Sequence, residues 1–341
     1  NLDTDYTATV AVGSVAAADL NTISANTGGT VTATNATAIT GTSTTVAAVV
    51  NDSEISVDDN YTVTITGTAV ASEVITIYGD TSGHITATGV TAVTGTAANV
   101  AALVLRDNAT GDNKINLDDN YTVTLSGTAA AADVISIYGN TSGHITATGV
   151  TGITGSMSDI TTIINREADT GNNKINLDGD FAATISDTDV AAGTLNTFNG
   201  IVPGLITATD VTNLTGTAAD MATLMGQEGD SGNKVNLDTN FTATVDAGSV
   251  AAADLNTISA KTGGTITATA ATTITGTASA VSDVVDDAQI SVDNNYLVTL
   301  TGTAAAADII TIYGDTSGHI TASAVTAYTG TAANVATLVG R

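Results

Sequence analysis

The residues of this 341-residue chain best placed to do chemistry are its acids. Thirty-four Asp and Glu stand against seven Lys and Arg, a net charge of −27. Many of the acids crowd into Gly- and Asn-rich joints. Three joints carry inserts, RDNATGDNKINLDD (106–119), READTGNNKINLDG (166–179) and QEGDSGNKVNLDT (227–239), and two are short, NDSEISVDD (51–59) and DDAQISVDN (286–294). Calcium takes about six to eight oxygen ligands, and carboxylates crowded on tight turns supply them. On that chemistry the candidate calcium ligands are Asp107, Asp112, Asp118, Asp169, Asp178, Asp230 and Asp238. The string DNKINLDD faintly resembles an EF-hand-type loop. Its spacing, from Asn108 through Thr110 and Asp112 to Asp119, is not kept, because Gly179 and Thr239 replace Asp119 in the later joints. The competing reading is a set of solvated acidic turns. Asp118, Asp178 and Asp238 recur at one position, as do Asp3, Asp58 and Asp293, and would equally cap or end a strand.

The three histidines, His84, His144 and His319, share one place in the string TSGHIT, where other parts of the chain have Thr30, Thr265 and Leu205. A site that accepts Thr or Leu reads as a strand start, not as a base or an obligatory ligand; stacking of His84 on His144 is the one arrangement that would bring two imidazoles together. The Thr-x-Thr pairs recur more widely. Thr32/Thr34, Thr86/Thr88, Thr146/Thr148, Thr207/Thr209 and Thr267/Thr269 form one series, with Thr7/Thr9, Thr62/Thr64, Thr122/Thr124 and Thr242/Thr244 as a second. On a flat face they would make a ladder of hydroxyls and methyls able to order water at an ice or glycan surface; the plainer reading is that Thr suits an outward-facing strand position. Lys114, Lys174 and Lys234 close the inserts and are expected to pair with nearby acids. No Gly-rich phosphate loop and no dinucleotide fingerprint occurs. No polar constellation stands apart from the repeated background, which argues against an enzyme.

What positions these residues is internal repetition, the first thing to read in such a chain. Six units align: 1–54, 55–114, 115–174, 175–234, 235–289 and 290–341. A longer period of about 235 residues lies on top: NLDTDYTATVAVGSVAAADLNTISANTGGT returns near the start of unit 5 as NLDTNFTATVDAGSVAAADLNTISAKTGGT, and unit 2 returns as unit 6. Each unit splits into two similar halves, a strand and an Ala-rich segment in each. In Tyr61-Thr62-Val63-Thr64-Ile65 the apolar residues alternate with threonines, the mark of a half-buried strand. The Ala-rich segments follow good N-cap residues, Thr68, Thr96, Thr128 and Thr217. Thr217-Ala-Ala-Asp220 resembles a capping box with Asp in place of Glu. Val100, Leu103 and Val104 fall at helical spacing, whereas VITIYG (74–79) fits either helix or strand.

These elements predict a repeat solenoid, mainly β: a parallel β-solenoid with short helical segments, two coils per 55–60-residue repeat, in one continuous array. Helices are about 10 Å across and strands about 4.8 Å apart, so such a solenoid must curve or offset its helices. A string of separate 55–60-residue domains would be marginal without Cys or Trp. Seven basic residues cannot neutralise a phosphate backbone, which excludes nucleic acid. Anionic membranes repel such a chain, and no apolar run approaches the ~20 residues of a span. Disorder is excluded by a 43% hydrophobic content with regular Val, Ile and Leu. Asn1 already lies inside a repeat, which points to a segment of something longer.

Thr94-Gly-Thr-Ala-Ala-Asn-Val100, Thr215-Gly-Thr-Ala-Ala-Asp220, Thr329-Gly-Thr-Ala-Ala-Asn-Val335 and AAADLNTI at 16–23 and 251–258 carry a resemblance. Across essentially its whole length the chain resembles the giant acidic Thr/Ala/Gly-rich extracellular repeat proteins of bacterial cell surfaces, of the marine picocyanobacterial type. The resemblance implies an exported surface or matrix protein and assigns no binding residue. The expected function is a structural extracellular protein, a fibre, surface layer or adhesin stalk, that self-associates and is stabilised or cross-linked by Ca2+. The rivals are a binding module for ice or a surface glycan and a viral tail-fibre shaft.

Overall fold

A computed structural model describes residues 4–111, 114–167, 169, 171, 174–228 and 235–340. Among these the chain forms 23 strands and 12 helices of eight to eleven residues, an α/β fold whose large parallel sheets do not close into a barrel. "Mainly β" therefore understates the helices, which recur through the whole described chain. It divides into two compact units, Asn1–Phe181 and Ala182–Arg341.

The first unit reads, in chain order, β1 (Ala8–Thr9), β2 (Gly13–Ala16), α1 (Ala17–Ser24), β3 (Val31–Ala33), β4 (Ala36–Gly41), α2 (Ser43–Asn51), β5 (Ile55–Val57), β6 (Thr62–Val70), α3 (Ala71–Asp80), β7 (Ile85–Gly95), α4 (Ala97–Asp107), β8 (Ile115–Leu117), β9 (Thr122–Ala130), α5 (Ala131–Asn140), β10 (Ile145–Gly155), α6 (Met157–Glu167) and β11 (Ile175–Leu177). The second reads β12 (Ala182–Ile185), β13 (Asp189–Ala191), α7 (Ala192–Ile201), β14 (Ile206–Ala208), β15 (Asn213–Gly216), α8 (Ala218–Met225), β16 (Val235–Leu237), β17 (Thr242–Val245), β18 (Gly248–Ala251), α9 (Ala252–Ser259), β19 (Ile266–Ala268), β20 (Ala271–Gly276), α10 (Ala278–Asp286), β21 (Ile290–Val292), β22 (Leu297–Ala305), α11 (Ala306–Asp315), β23 (Ile320–Thr329) and α12 (Ala332–Val339).

Every strand pairing within the two units is parallel among the described residues, and the strands join in runs. In the first unit these are β1–β3–β5, β2–β4–β6–β7–β8 and β6–β7–β9–β10–β11. Strands β6 and β7 serve both long runs. Their first halves pair Val63 with Ile85, and their second halves, beyond a register shift, pair Ala69 with Val93. The bend that separates the halves of β6 falls at Gly67, whose φ of +82° an L side chain rarely adopts. In the second unit the runs are β12–β14–β16, β13–β15–β17–β19–β21 and β18–β20–β22–β23. A run is thus handed on after at most five strands. That is the offset expected when helices need twice the spacing of strands.

The core is lines of small apolar residues stacked across each run, such as Ile39–Val63–Ile85–Ile115 and Val93–Val123–Ile145–Ile175. Tyr61, Val63 and Ile65 are all buried, as their alternation predicts, and so are Val100, Leu103 and Val104. VITIYG lies within α3. Helices α2, α4, α8, α10 and α12 begin at Thr42, Thr96, Thr217, Thr277 and Thr331, each hydroxyl accepting a first-turn amide. Such caps contribute about 1 kcal/mol each. The predicted caps Thr68 and Thr128 instead lie inside β6 and β9, and α3 and α5 start at Val70 and Ala130 without a side-chain cap. The reciprocal capping box forms at Thr42 and Thr45. At Thr217 the carboxylate of Asp220 accepts the cap's own hydroxyl proton at 2.8 Å instead.

Candidate functional site

Of the seven candidate calcium ligands, Asp112 and Asp230 lie outside the described residues, and so do four residues of the second insert and six of the third. The other five are not brought together. Asp107 ends α4 and is fully engaged: Oδ1 accepts the Leu117 amide at 2.8 Å and Oδ2 accepts the Asn140 amide nitrogen at 3.1 Å. Asp169 accepts the Arg166 guanidinium at 3.4 Å and the Tyr138 hydroxyl at 3.5 Å. Asp118, Asp178 and Asp238 each directly follow a short strand that ends a run, β8, β11 and β16. Asp238 there accepts the Asn240 amide at 2.7 Å, and Asp58 and Asp293 likewise accept the next residue's amide. Among the described residues no three His, Asp or Glu side chains are grouped to hold a metal ion.

The histidines sit one residue before β7, β10 and β23, as strand starts. His84 and His144 open strands whose first halves belong to different runs, so they do not stack. Lys114 and Lys174 lend backbone carbonyls to Ile85 and Ile145. Lys234 lies outside the described residues; Lys114 and Lys174 form no ion pair among the described residues, where the pairs are Arg166–Asp169 and Lys261–Glu228. Arg106 and Arg166 also lie over the rings of Tyr78 and Tyr138, at 4.6 and 4.7 Å.

The threonines do stack, but in single file. Register places Thr40, Thr64, Thr86 and Asn116 side by side, and likewise Thr94, Thr124, Thr146 and Asn176. In the second series it is the second threonine, Thr64 or Thr124, that joins the ladder, whereas in the first series the second threonine leaves it. Thr88 and Thr148 fall where the register shifts, and Thr34 and Thr209 lie in turns. Several hydroxyls are also turned back onto the preceding strand: Thr62, Thr122 and Thr242 donate to the carbonyls of Thr37, Thr91 and Thr212 at 3.1–3.3 Å. These three hydroxyls are exposed and yet bonded to a neighbouring carbonyl.

The densest polar chemistry is at a place the sequence reading passed over, the Tyr and Thr-Ser-Gly positions. Thr81, Thr141, Thr262 and Thr316 are buried. Each donates its hydroxyl to the carbonyl of Tyr61, Tyr121, Phe241 or Tyr296 and accepts the amide of the glycine two residues on. That glycine has no room for a side chain: a Cβ on Gly143 would lie 2.1 Å from the Tyr121 carbonyl oxygen. The phenols of Tyr61, Tyr121 and Tyr296 donate to Asp80, Asn140 and Asp315 at 2.6–2.8 Å. Burial pushes all three well above the usual phenol value, and the carboxylates beside them push the same way. From Tyr121 the chain of bonds continues through Asn140 and Asp107 to the amide of β8. The signal was present in the aligned strings YGDTSG, YGNTSG and YGDTSG, whose acid or amide always precedes Thr-Ser-Gly. Such a device fastens helix end, strand start and next strand; it holds no nucleophile or base facing a cleft.

No family model, no curated protein and no solved structure matches this chain. Among the described residues no helix is long and apolar enough to cross a membrane.

Proposed function

We propose that the chain is a structural extracellular repeat protein of the acidic Thr/Ala/Gly-rich surface type, building a fibre, surface layer or adhesin stalk and performing no catalysis. In this reading it is a parallel strand–helix solenoid with two coils per 55–60-residue repeat. The observation that carries it is the composition of the strand runs. Run β6–β7–β9–β10–β11 takes two strands from repeat 2, two from repeat 3 and one from repeat 4. Run β13–β15–β17–β19–β21 does the same with repeats 4, 5 and 6. Repeats so interlocked cannot slip past one another without breaking hydrogen bonds in two neighbours. That is what a load-carrying element needs, and it is nearest-neighbour stability extended by one repeat. The polar groups support the same reading, since the buried Thr, Tyr and Asp107 bonds are spent between strands and helices. The hydroxyls of Thr62, Thr122 and Thr242, already bonded to backbone carbonyls, favour this over an ice or glycan face.

Calcium belongs to the proposal as a cross-link where acidic joints of different molecules meet, offsetting the charge of −27. Electron microscopy of the purified chain in millimolar Ca2+ and in chelator tests both parts. Ordered filaments or layers are expected, and their loss in chelator assigns the joints to calcium. Order in both conditions keeps the structural role and removes the calcium. Isolated particles in both overturn the reading.

A further inference from the structure

The strand pairings do not distinguish one repeat from another. Val63 pairs with Ile85, Val123 with Ile145 and Val298 with Ile320, the same apolar line each time. The residues that differ lie at the helix ends, where one coil meets the next. Helices α2 and α3, α4 and α5, α8 and α9, and α10 and α11 pack together across successive repeats. At these four contacts three positions change together. The first is a residue at the end of one helix or just past it. The second is the buried aromatic residue that opens the next coil. The third is the residue before that coil's buried threonine.

Asp107, Tyr121 and Asn140 form one set. Asn140 accepts the Tyr121 hydroxyl at 2.6 Å and donates to Asp107 at 3.1 Å, so both halves of its amide are used. Glu228, Phe241 and Lys261 form another. The lysine pairs with the glutamate at 3.4 Å, and Phe241 has no hydroxyl in need of an acceptor. At the other two contacts the first position is uncharged, Ser53 or Ala288. There the third is an acid, Asp80 or Asp315, and accepts the phenol of Tyr61 or Tyr296 at 2.6 and 2.8 Å. Among the four sets an acid stands third only where no acid stands first. The two helices within a repeat are matched in the same way. Ser24 donates to Asp52 at 2.7 Å and Ser259 to Asp287. At the equivalent places Arg106 and Arg166 lie over Tyr78 and Tyr138, and Asn199 donates to Gln227 at 2.7 Å. A serine meets an aspartate, a tyrosine an arginine and an asparagine a glutamine.

We propose that these helix-end sets are the recognition element between coils: they decide which coil can be seated on which, in a chain whose strands are interchangeable. The sorting works by exclusion as much as by attraction. A helix ending in Asp80 or Asp315 fits after α2 or α10. After α4 or α8 its carboxylate would meet Asp107 or Glu228. A tyrosine at the second position requires an acceptor at the third, which Asp80, Asn140 and Asp315 supply and Lys261, a donor only, does not. Near-identical repeats are prone to pair with the wrong neighbour during folding, and the helix ends are where this chain tells its neighbours apart. The inference goes beyond the structural role above and stands whether or not the chain builds a fibre.

Moving one set onto another joint of the full chain tests this by urea unfolding, with far-ultraviolet dichroism to follow the fold. Asn140→Asp gives α5 the end that α3 has and sets it against Asp107. The unfolding equilibrium constant is expected to rise roughly tenfold or more, since a hydrogen bond to a charged group is lost. Asp107→Ser completes the set found at Ser53, Tyr61 and Asp80, and in that background Asn140→Asp is expected to be neutral. At the second joint Lys261→Asp alone sets two acids together. Combined with Glu228→Ala and Phe241→Tyr it reproduces the set of Ala288, Tyr296 and Asp315. Lys261 and Glu228 are 44% and 21% exposed, so the single change there is expected to have a smaller effect, within roughly fivefold, and the triple to recover it. This joint gives the reading if Asn140→Asp fails to fold. Recovery by the completed sets is the expected result. An equal loss from Asn140→Asp with and without Asp107→Ser, or from Lys261→Asp with and without its two companions, overturns the proposal, because each residue would then contribute only its own local contact.

Discussion

Thr141→Val isolates the Thr-Ser-Gly device. Valine keeps the shape of threonine and removes only the hydroxyl. Thr141 is 2% exposed, and its hydroxyl both donates to the Tyr121 carbonyl and accepts the Gly143 amide at 3.0 Å. The substitution therefore orphans a buried acceptor and a buried donor. Each unsatisfied buried group costs about 1–3 kcal/mol, so a loss of roughly 2–5 kcal/mol is expected. For a unit of this size about 2–4 °C of melting temperature goes with each kcal/mol, which puts the shift at roughly 4–20 °C. The adjacent Ser142 is the control. Its hydroxyl also donates to a backbone carbonyl, that of Asp119 at 3.0 Å, but it is exposed. Water replaces that bond, and Ser142→Ala should change stability by less than about 0.5 kcal/mol. Scanning calorimetry on both variants, with urea unfolding as a second measure, reads the difference. A Thr141→Val protein that melts within about 1–2 °C of Ser142→Ala would refute the claim that the buried hydroxyl fastens the two coils.

Two other outcomes follow from the same geometry. Gly143→Ala puts a Cβ 2.1 Å from the Tyr121 carbonyl; backbone must move, and the expected cost exceeds that of Thr141→Val, while Gly139→Ala, with open space around it, should be neutral or stabilising by calorimetry. The raised phenol pKa values of Tyr61, Tyr121 and Tyr296 mean that the folded chain holds three protons that the unfolded chain releases from pH 10.0 upward. Their stabilising contribution is full below pH 10.0 and is lost as the pH climbs through the folded values. Absorbance at 295 nm should show three of the eight tyrosines ionising only when the far-ultraviolet dichroism collapses; ionisation of all eight in the folded chain would contradict their burial.

Local patterns were readable because they depend on neighbours in sequence. The alternation of Tyr61, Val63 and Ile65 placed a strand, and the spacing of Val100, Leu103 and Val104 placed a helix face. Thr96 and Thr217 were readable as caps because a hydroxyl three residues before an amide needs only its own turn. Thr68 and Thr128 look the same in sequence and lie inside strands β6 and β9. Their strands run on past the threonine because β7 and β10 pair with it, Thr68 opposite Ala92 and Thr128 opposite Gly152. The acidic joints also depend on partners far away in sequence. Composition shows many carboxylates near one another along the chain, but Asp107 is claimed by the Leu117 amide and Asn140, partners 10 and 33 residues away.

By itself, the sequence determined the period, the alternation of strand and helix, the apolar face of each element and the net charge of −27. These are properties of composition and of contacts within a few residues. Tertiary structure alone decided which strands share a run, and it did so through the bend at Gly67 that lets one strand pair with two sets of neighbours. It also decided that Thr86 and Thr146 join the ladder while Thr88 and Thr148 do not, because a register shift displaces the second of each pair. It set apart Tyr6, Ala8 and Val10 from Phe241, Ala243 and Val245, nearly the same residues with and without a layer over them. Burial is a property of what packs against a residue, and no local pattern contains it.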